Sequence, residues 1–321
     1  MICPEIHYKK SDTGVTIVSC YGTDGHIYLP DEIEGVPVTG IAPYAFSSGD
    51  EEEGTFVWES EEASLASERV RLKEELVLEM HLPRYVREIG RYAFYRCRNM
   101  QKMTLHDELL DIGGGALTGC RFQEVEIYFH GGERSALKSI VDEIRFAVHG
   151  MLYYERQDGT TRMAEVLFPE HYEEAVENTP ARILYTSHHG AGGYYRQCFY
   201  NRELDYQKYD ELLPWAVAEE EPAVVAALAL NRLVHPYRLS ESARSDYETY
   251  VREHMQEAAK LLIAQEDMEK LHFLSAHGYW SESALDEAIE YAGAGKKTEI
   301  LSVLMEEKHA RFPKKKKMFE L

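Results

Sequence analysis

The residues whose types could support chemistry gather between 171 and 198: His171, the pair His188-His189, and Cys198. Neutral imidazole and thiolate are zinc ligands, and a pair of strands could bring them to one point. The spacing speaks against it, because neighbouring strand residues point to opposite faces and His188 and His189 do not reach one ion together. The chain also lacks Cys-x-x-Cys and His-Glu-x-x-His. His188 and Cys198 stand as the candidate ligands, a structural loop is the favoured reading, and no metal or other cofactor is expected. Gly190-Ala191-Gly192-Gly193 follows a strand pattern, and glycines there let backbone N–H groups approach a phosphate. No Gly-Lys-Ser/Thr closes the run, and Tyr194 and Tyr195 follow it, so a hairpin turn into another strand is expected. Covalent catalysis lacks a frame as well: there is no Gly-x-Ser-x-Gly and no cysteine in a papain-type setting.

Recognition has better candidates. Glu79, Lys102 and Glu124 occupy equivalent places in successive segments, and so do His81, Thr104 and Glu126. What positions them is a unit written more than once. Val77-x-x-Met80-x-Leu82 returns as Met100-x-x-Met103-x-Leu105, and Ile89-Gly90-x-x-Ala93-Phe94-x-x-Cys97 returns as Ile112-Gly113-x-x-Ala116-Leu117-x-x-Cys120, each displaced by 23 residues. Phe122-x-x-Val125-x-Ile127 opens a third copy at 22. A period of this length marks a leucine-rich solenoid, whose coils bury their apolar faces only by stacking. Alternation along each strand turns Met80, Leu82, Met103, Leu105, Val125 and Ile127 inward. The six polar residues between them form two outward rows, the expected binding residues. Strands about 4.8 Å apart let Glu79, Lys102 and Glu124 pair across the row, at roughly 0.2–1 kcal/mol per pair. Cys97 and Cys120 share one ladder position as small buried apolar groups, and Gly113-Gly114-Gly115 falls at the Ile-Gly corner.

The segment before these coils carries the same signs: Ile27-x-Leu29-Pro30, Gly35-Val36-Pro37-Val38-Thr39, and Ile41-x-x-Tyr44-Ala45-Phe46. Together with the Ile89–Cys97 unit they resemble the BspA-like bacterial leucine-rich repeat family over roughly residues 14–130. The resemblance implies an interaction protein, and many such proteins sit on cell surfaces. From Phe46 to Met80 the chain takes 34 residues where Phe94 to Met103 takes 9. The excess is rich in Asp and Glu, so 48–72 is expected as a mobile acidic insertion, a solvated loop before it is a contact for a basic partner.

After the coils, a helical run from Glu133 to Val141 is expected to cover the open end. A hairpin with arms Ile144–Tyr154 and Arg162–Phe168 follows, then a short acidic helix over His171–Glu177 and a strand at Arg182–Thr186. Tyr194, Tyr195, Phe199, Tyr200, Tyr206 and Tyr209, with Arg196 and Arg202, suit a seam between β and α parts. From about Tyr206 the period becomes helical. Ala258–Leu262 aligns with Ala288–Ala292, and Leu271, Phe273 and Leu274 with Leu301, Val303 and Leu304, at a displacement of 30. Ser240 and Ser281 are expected caps. The pattern is ankyrin-like without the Thr-Pro-Leu-His signature. Four lysines, 314–317, form a basic spot near the end.

The fold class expected is α+β: a leucine-rich repeat domain over 1–143 with its insertion at 48–72, a β-rich connector or cap over 144–205, and an ankyrin-like helical-hairpin domain over 206–321. A net charge of -21 argues against nucleic acid and anionic membranes as partners. Five scattered cysteines imply no disulfide framework. No leader is read at the N-terminus, and no apolar run approaches the ~18 residues a bilayer needs. A cytoplasmic, non-enzymatic scaffold or adaptor for an unidentified protein partner is the expectation. The rivals are an enzyme or zinc protein using the 188–198 loop, and a surface adhesin whose leader was removed.

Overall fold

The computed structural model describes residues 5–49, 54–60, 69–178 and 183–313, the side chains of 174–188 excepted. Two compact units result, Met1–Leu212 and Leu213–Leu321.

The first unit opens with β1 (Glu5–Ser11) and β2 (Gly14–Gly22), an antiparallel pair. Then come β3 (His26–Tyr28), β4 (Glu32–Ile33), β5 (Val36–Ile41), β6 (Phe56–Glu59), β7 (Val70–Arg71), β8 (Glu79–His81), β9 (Glu88–Ile89), β10 (Lys102–His106) and β11 (Glu124–Phe129). Each coil places one strand in a parallel ladder, where Ile27 lies opposite Met80, Met80 opposite Met103, and Met103 opposite Val125. Met80, Leu82, Met103, Leu105, Val125 and Ile127 are all buried, as the alternation requires.

The opposite side of each coil is a corner. Ile89 and Ile112 hold equivalent corners of adjacent coils: Gly90 N–H donates to Ile41 O and Gly113 N–H to Ile89 O, both at 2.8 Å. The coils touch backbone to backbone there, since a Cβ at Gly113 would come within 2.5 Å of Arg91 N. Beyond the corner, the Phe46 and Phe94 rings stack at 5.0 Å. The Cys97 thiol donates to Phe46 O and the Cys120 thiol to Phe94 O, at 3.3 and 3.1 Å. A hydrogen bond with Cys120, then burial, pushes the Cys97 thiol above its ordinary value, so it packs as a protonated, apolar group.

Helix α1 (Leu137–Glu143) does not close the coils as expected, because the parallel ladder continues beyond it into the next strand; Glu143 at its end accepts from Leu117 N–H and the Thr118 hydroxyl, each at 3.0 Å. The hairpin β12 (Val148–Glu155) and β13 (Thr161–Phe168) forms where expected. It does not stand apart from the coils: β12 is parallel to β11, so one sheet runs β13-β12-β11-β10-β8-β3. The second sheet runs β4-β5-β2-β1-β6, with β7 on β2 and β9 on β5.

Three expectations are corrected. The insertion is not a loop throughout: β6 pairs with β1 and β7 with β2, while Arg69 bridges Glu5 and Glu59 at 2.7 and 2.8 Å. Phe56-Val57-Trp58 is a β-forming run that supplies the edge of β1 with a partner; residues 50–53 and 61–68 lie outside the described residues. The acidic helix at 171–177 is instead β14 (Tyr172–Asn178), antiparallel to β15 (Ile183–His189). Pairing with the strand that follows it overrides the helical preference of its Glu and Ala residues. The glycines at 192–193 do not turn a hairpin; they open one helical turn, α2 (Gly192–Tyr195). Any Cβ at Gly192 would meet Glu170 O and Pro169 O at 2.2 and 2.4 Å, so close approach is the reason for glycine there.

The aromatic run then packs within this unit. After β16 (Phe199–Tyr200), β17 (Glu203–Leu204) and α3 (Tyr206–Asp210), Tyr206 Oη meets Tyr154 Oη at 2.9 Å, and Tyr209 Oη donates to Leu167 O and accepts from Leu167 N–H at 2.7 and 2.8 Å. Arg196 is buried and donates to the carbonyls of Val141, Ile144, Phe146, Pro169 and Gly192, pinning three passages of chain with one guanidinium.

The second unit is helical: α4 (Leu213–Glu219), α5 (Pro222–Val234), α6 (Glu241–Glu253), α7 (Met255–Gln265), α8 (Met268–Ala276), α9 (Glu282–Ala294) and α10 (Thr298–Arg311). Ser240 Oγ caps Ala243 N–H and Ser281 Oγ caps Ala284 N–H at 3.2 and 3.1 Å. Helices α5, α7 and α9 pack side by side, with α6 on α5, α8 on α7 and α10 on α9. Buried alanines such as Ala226, Ala259 and Ala288 allow that approach. Glu266 and Lys296, 30 positions apart, both take left-handed backbone after α7 and α9, with φ of 58° and 56°. The tail lysines lie outside the described residues.

The corner contact makes a clean test. Gly113→Ala is expected to cost about 1–3 kcal/mol, as overpacking does, whereas Gly114→Ala, with nothing within 4 Å of the added Cβ, stays within about 0.5 kcal/mol. Urea unfolding midpoints compare the two, and equal midpoints would refute tight stacking at the corner.

Candidate functional site

The outward rows assemble as the register dictates, except that Thr104 is buried beneath its neighbours rather than exposed. Glu79, Lys102 and Glu124 lie side by side, His81, Thr104 and Glu126 beside them, and both rows continue onto β3 and β12. The pairing differs from the expected one. Lys102 Nζ does not bridge Glu79 and Glu124 along its row but reaches diagonally to Glu126 Oε1 at 2.7 Å. The second Glu126 oxygen accepts from Thr104 Oγ1 at 3.3 Å. A lysine stem is long enough for the diagonal, and the neighbouring Thr hydroxyl makes Glu126 the better acceptor. Burial pulls Lys102 down, yet its hydrogen bond to Glu126 and the charges of Glu126, Glu124 and Glu79 outweigh this and hold the ammonium above its ordinary pKa. His81 stacks on Tyr28 at 3.9 Å and 8°, and its Nε2 meets Glu79 Oε2 at 3.3 Å.

A third row escaped the sequence reading. His106, Tyr128 and Tyr153 follow one alternation further along the same strands. Tyr128 and Tyr153 stack at 4.7 Å and 10°, with His106 at 5.5 Å from Tyr128. His106 Nδ1 meets His130 Nε2 at 3.0 Å, and His130 Nδ1 meets Glu155 Oε2 at 2.8 Å, a chain from carboxylate to half-buried ring. The signal was present: positions 102, 104 and 106 alternate without a break, as do 124, 126 and 128. The outward face therefore offers stacked aromatic and imidazole rings beside a self-paired set of charges, the chemistry of a surface that packs and hydrogen-bonds to another chain.

The 171–198 group shows no comparable assembly among the described residues. Cys198 is buried, its thiol donates to Tyr194 O at 3.6 Å, and burial pushes it up to about 12, away from the thiolate a metal takes. His171 Nε2 meets Glu173 Oε1 at 2.8 Å. His188 pairs with Glu173 across the hairpin, and its side chain lies outside the described residues. Among the described residues, no three His, Cys, Asp or Glu side chains converge as a metal would require, and no helix is long and apolar enough to cross a membrane.

Residues 73–142 match the family model described as BspA type Leucine rich repeat region (6 copies). The stretch runs from the approach to β8 into α1, where the coils repeat most regularly. No curated protein and no solved structure matches the chain. Leucine-rich repeats of this kind mediate protein–protein contact, and the family is generally non-enzymatic.

Burial, then the charge of His130, lowers His106 to about 4. An unfolded histidine takes its proton near 6.5. Between those values the unfolded chain binds the extra proton, so the stability His106 contributes is complete above about pH 6.5 and is lost as the pH falls toward 4. The expected outcome is a His106 ring resonance titrating near 4, and a His106→Asn variant that loses less stability than the parent chain between about pH 6.5 and 4. A ring that titrates near 6.5 would contradict the half-buried placement against His130.

Proposed function

We propose that the protein is a non-enzymatic scaffold or adaptor that binds a protein partner through the outward face of the β13-to-β3 sheet, with Glu79, His81, Lys102, Thr104, Glu124 and Glu126 as contact residues and His106, Tyr128 and Tyr153 extending the patch. The observation that carries this reading is the face itself. Parallel strands hold its side chains in fixed rows while the inward set alone maintains the core, so the rows can be shaped to a partner at little cost to the fold. Rigid stacked rings lose little freedom on binding, which suits them as anchors. The helical hairpins of 213–311 are ankyrin-like in arrangement and supply a second surface of the same kind.

A photo-crosslinking amino acid placed at position 81 or 128 is expected to capture a partner in extracts of the native organism, and the same group at Arg98, on the turn side of the coils, is not. Exchanging Lys102→Glu with Glu126→Lys preserves the internal ion pair but inverts the charge pattern. It is expected to weaken partner binding at least about tenfold with a thermal midpoint close to that of the parent chain. Equal capture from all three positions would overturn the assignment.

A further inference from the structure

Next to the outward face, a cleft of about 480 Å³ opens where the loops following β8, β10 and β11 come together. That volume is within the ~300–1,000 Å³ range of small-ligand sites. Its charges can be accounted for one at a time. Asp107 Oδ2 is committed to backbone, accepting from the N–H groups of His130, Gly131 and Gly132 at 2.9, 3.1 and 3.2 Å. Glu108 Oε2 accepts from Arg87 Nε at 3.1 Å. The His130 ring is held between His106 and Glu155. What remains is Arg84 and Arg134, both lining the cleft and both exposed. Among the described residues neither guanidinium is ion-paired; that of Arg84 lies over its neighbour's ring, 5.9 Å from the centre of Tyr85, and acts on His106 through its charge.

Two unpaired arginines in one cleft run against the composition of this chain. With 56 acidic residues for 35 basic ones, a cation has carboxylates in excess to choose from, yet the two that line the cleft, Asp107 and Glu108, are bound elsewhere, and Asp31 beside it accepts from the backbone N–H of Arg84 at 2.8 Å, not from its guanidinium. A guanidinium offers a planar fork of donors that matches a carboxylate two bonds at a time. Leu110 and the Tyr85 ring give the cleft an apolar flank for the methylenes that carry such carboxylates. His130 belongs both to this cleft and to the hydrogen-bonded chain that ends on the sheet face, so the two surfaces adjoin.

We infer that this cleft binds an acidic peptide segment, with Arg84 and Arg134 each taking a carboxylate of adjacent Asp or Glu residues. The inference rests on the reading of the chain as a protein binder and adds which feature of a partner it selects: an exposed acidic stretch lying beside the area that packs on the sheet.

The test uses the intact chain and a fluorescent peptide Gly-Asp-Glu-Glu-Asp-Gly, followed by anisotropy, with Gly-Asn-Gln-Gln-Asn-Gly as its uncharged counterpart. The acidic peptide is expected to bind and the amide peptide to bind at least about tenfold more weakly, with affinity falling as salt shortens the screening length. Arg84→Ala combined with Arg134→Ala is expected to lower affinity at least tenfold, whereas Arg98→Ala, outside the cleft, leaves it unchanged. Circular dichroism melts confirm that each variant folds. Citrate, a free polycarboxylate, is expected to compete only weakly. Equal binding by the double variant, equal binding of the amide peptide, or citrate binding tighter than the acidic peptide would overturn the proposal. The chain with Lys102 and Glu126 exchanged separates the two readings: it retains peptide binding if the cleft assignment is right, whatever becomes of partner capture on the sheet face.

Discussion

The first unit depends on one contact, the stacking of coil on coil at the Ile-Gly corner. There the backbone of one coil lies directly on the next, with Gly113 N–H on Ile89 O and Gly90 N–H on Ile41 O. The rest of each coil follows from that anchor. Strands on the far side come into register with Met80 opposite Met103, and Phe94 falls under Phe46. The thiols of Cys97 and Cys120 then meet the carbonyls of the coil before them. A solenoid has no centre to collapse around, so its order comes from nearest neighbours repeating one geometry. The buried methionines supply the apolar area, and the corner sets the pitch at which they meet.

The same rigidity lets the outward face carry unusual groups. Half-buried His106 remains uncharged because its neighbours on the sheet leave little room for water and His130 stands against it. Lys102 remains charged because three glutamates surround it. Opposite protonation preferences thus coexist on one side of one strand, two pleats apart. An irregular loop would relax around such groups, whereas parallel strands on a fixed core hold them where the register puts them.

How much of this was legible follows from the range of each interaction. The coil faces, the corner residues, the β12–β13 hairpin and the serine caps were readable, because each is set by a period or by residues within a few positions. The strand at 172–178 was not, since its glutamates and alanine favour a helix until residues 183–189 arrive to pair with it. The β6 strand was hidden by the acidic residues on either side of Phe56-Val57-Trp58. On the face, register was predictable but partner choice was not: Lys102 selects the diagonal Glu126 over the lateral Glu124, a decision made by side-chain reach and by the Thr104 hydroxyl. The cleft was beyond reach for a different reason. Arg84 and Arg134 stand 50 positions apart, and only the stacking of three coils brings them to one opening.

Tyr209 touches β13 in a way that bears on assembly. Its hydroxyl satisfies both the N–H and the carbonyl of Leu167, at the outer margin of the last strand of the sheet. An unprotected margin would invite another chain to add itself strand by strand and would turn a stack of coils into the seed of a filament. One phenol occupies that pair of positions, so at Leu167 this margin of the sheet is already taken and ends as a finished border.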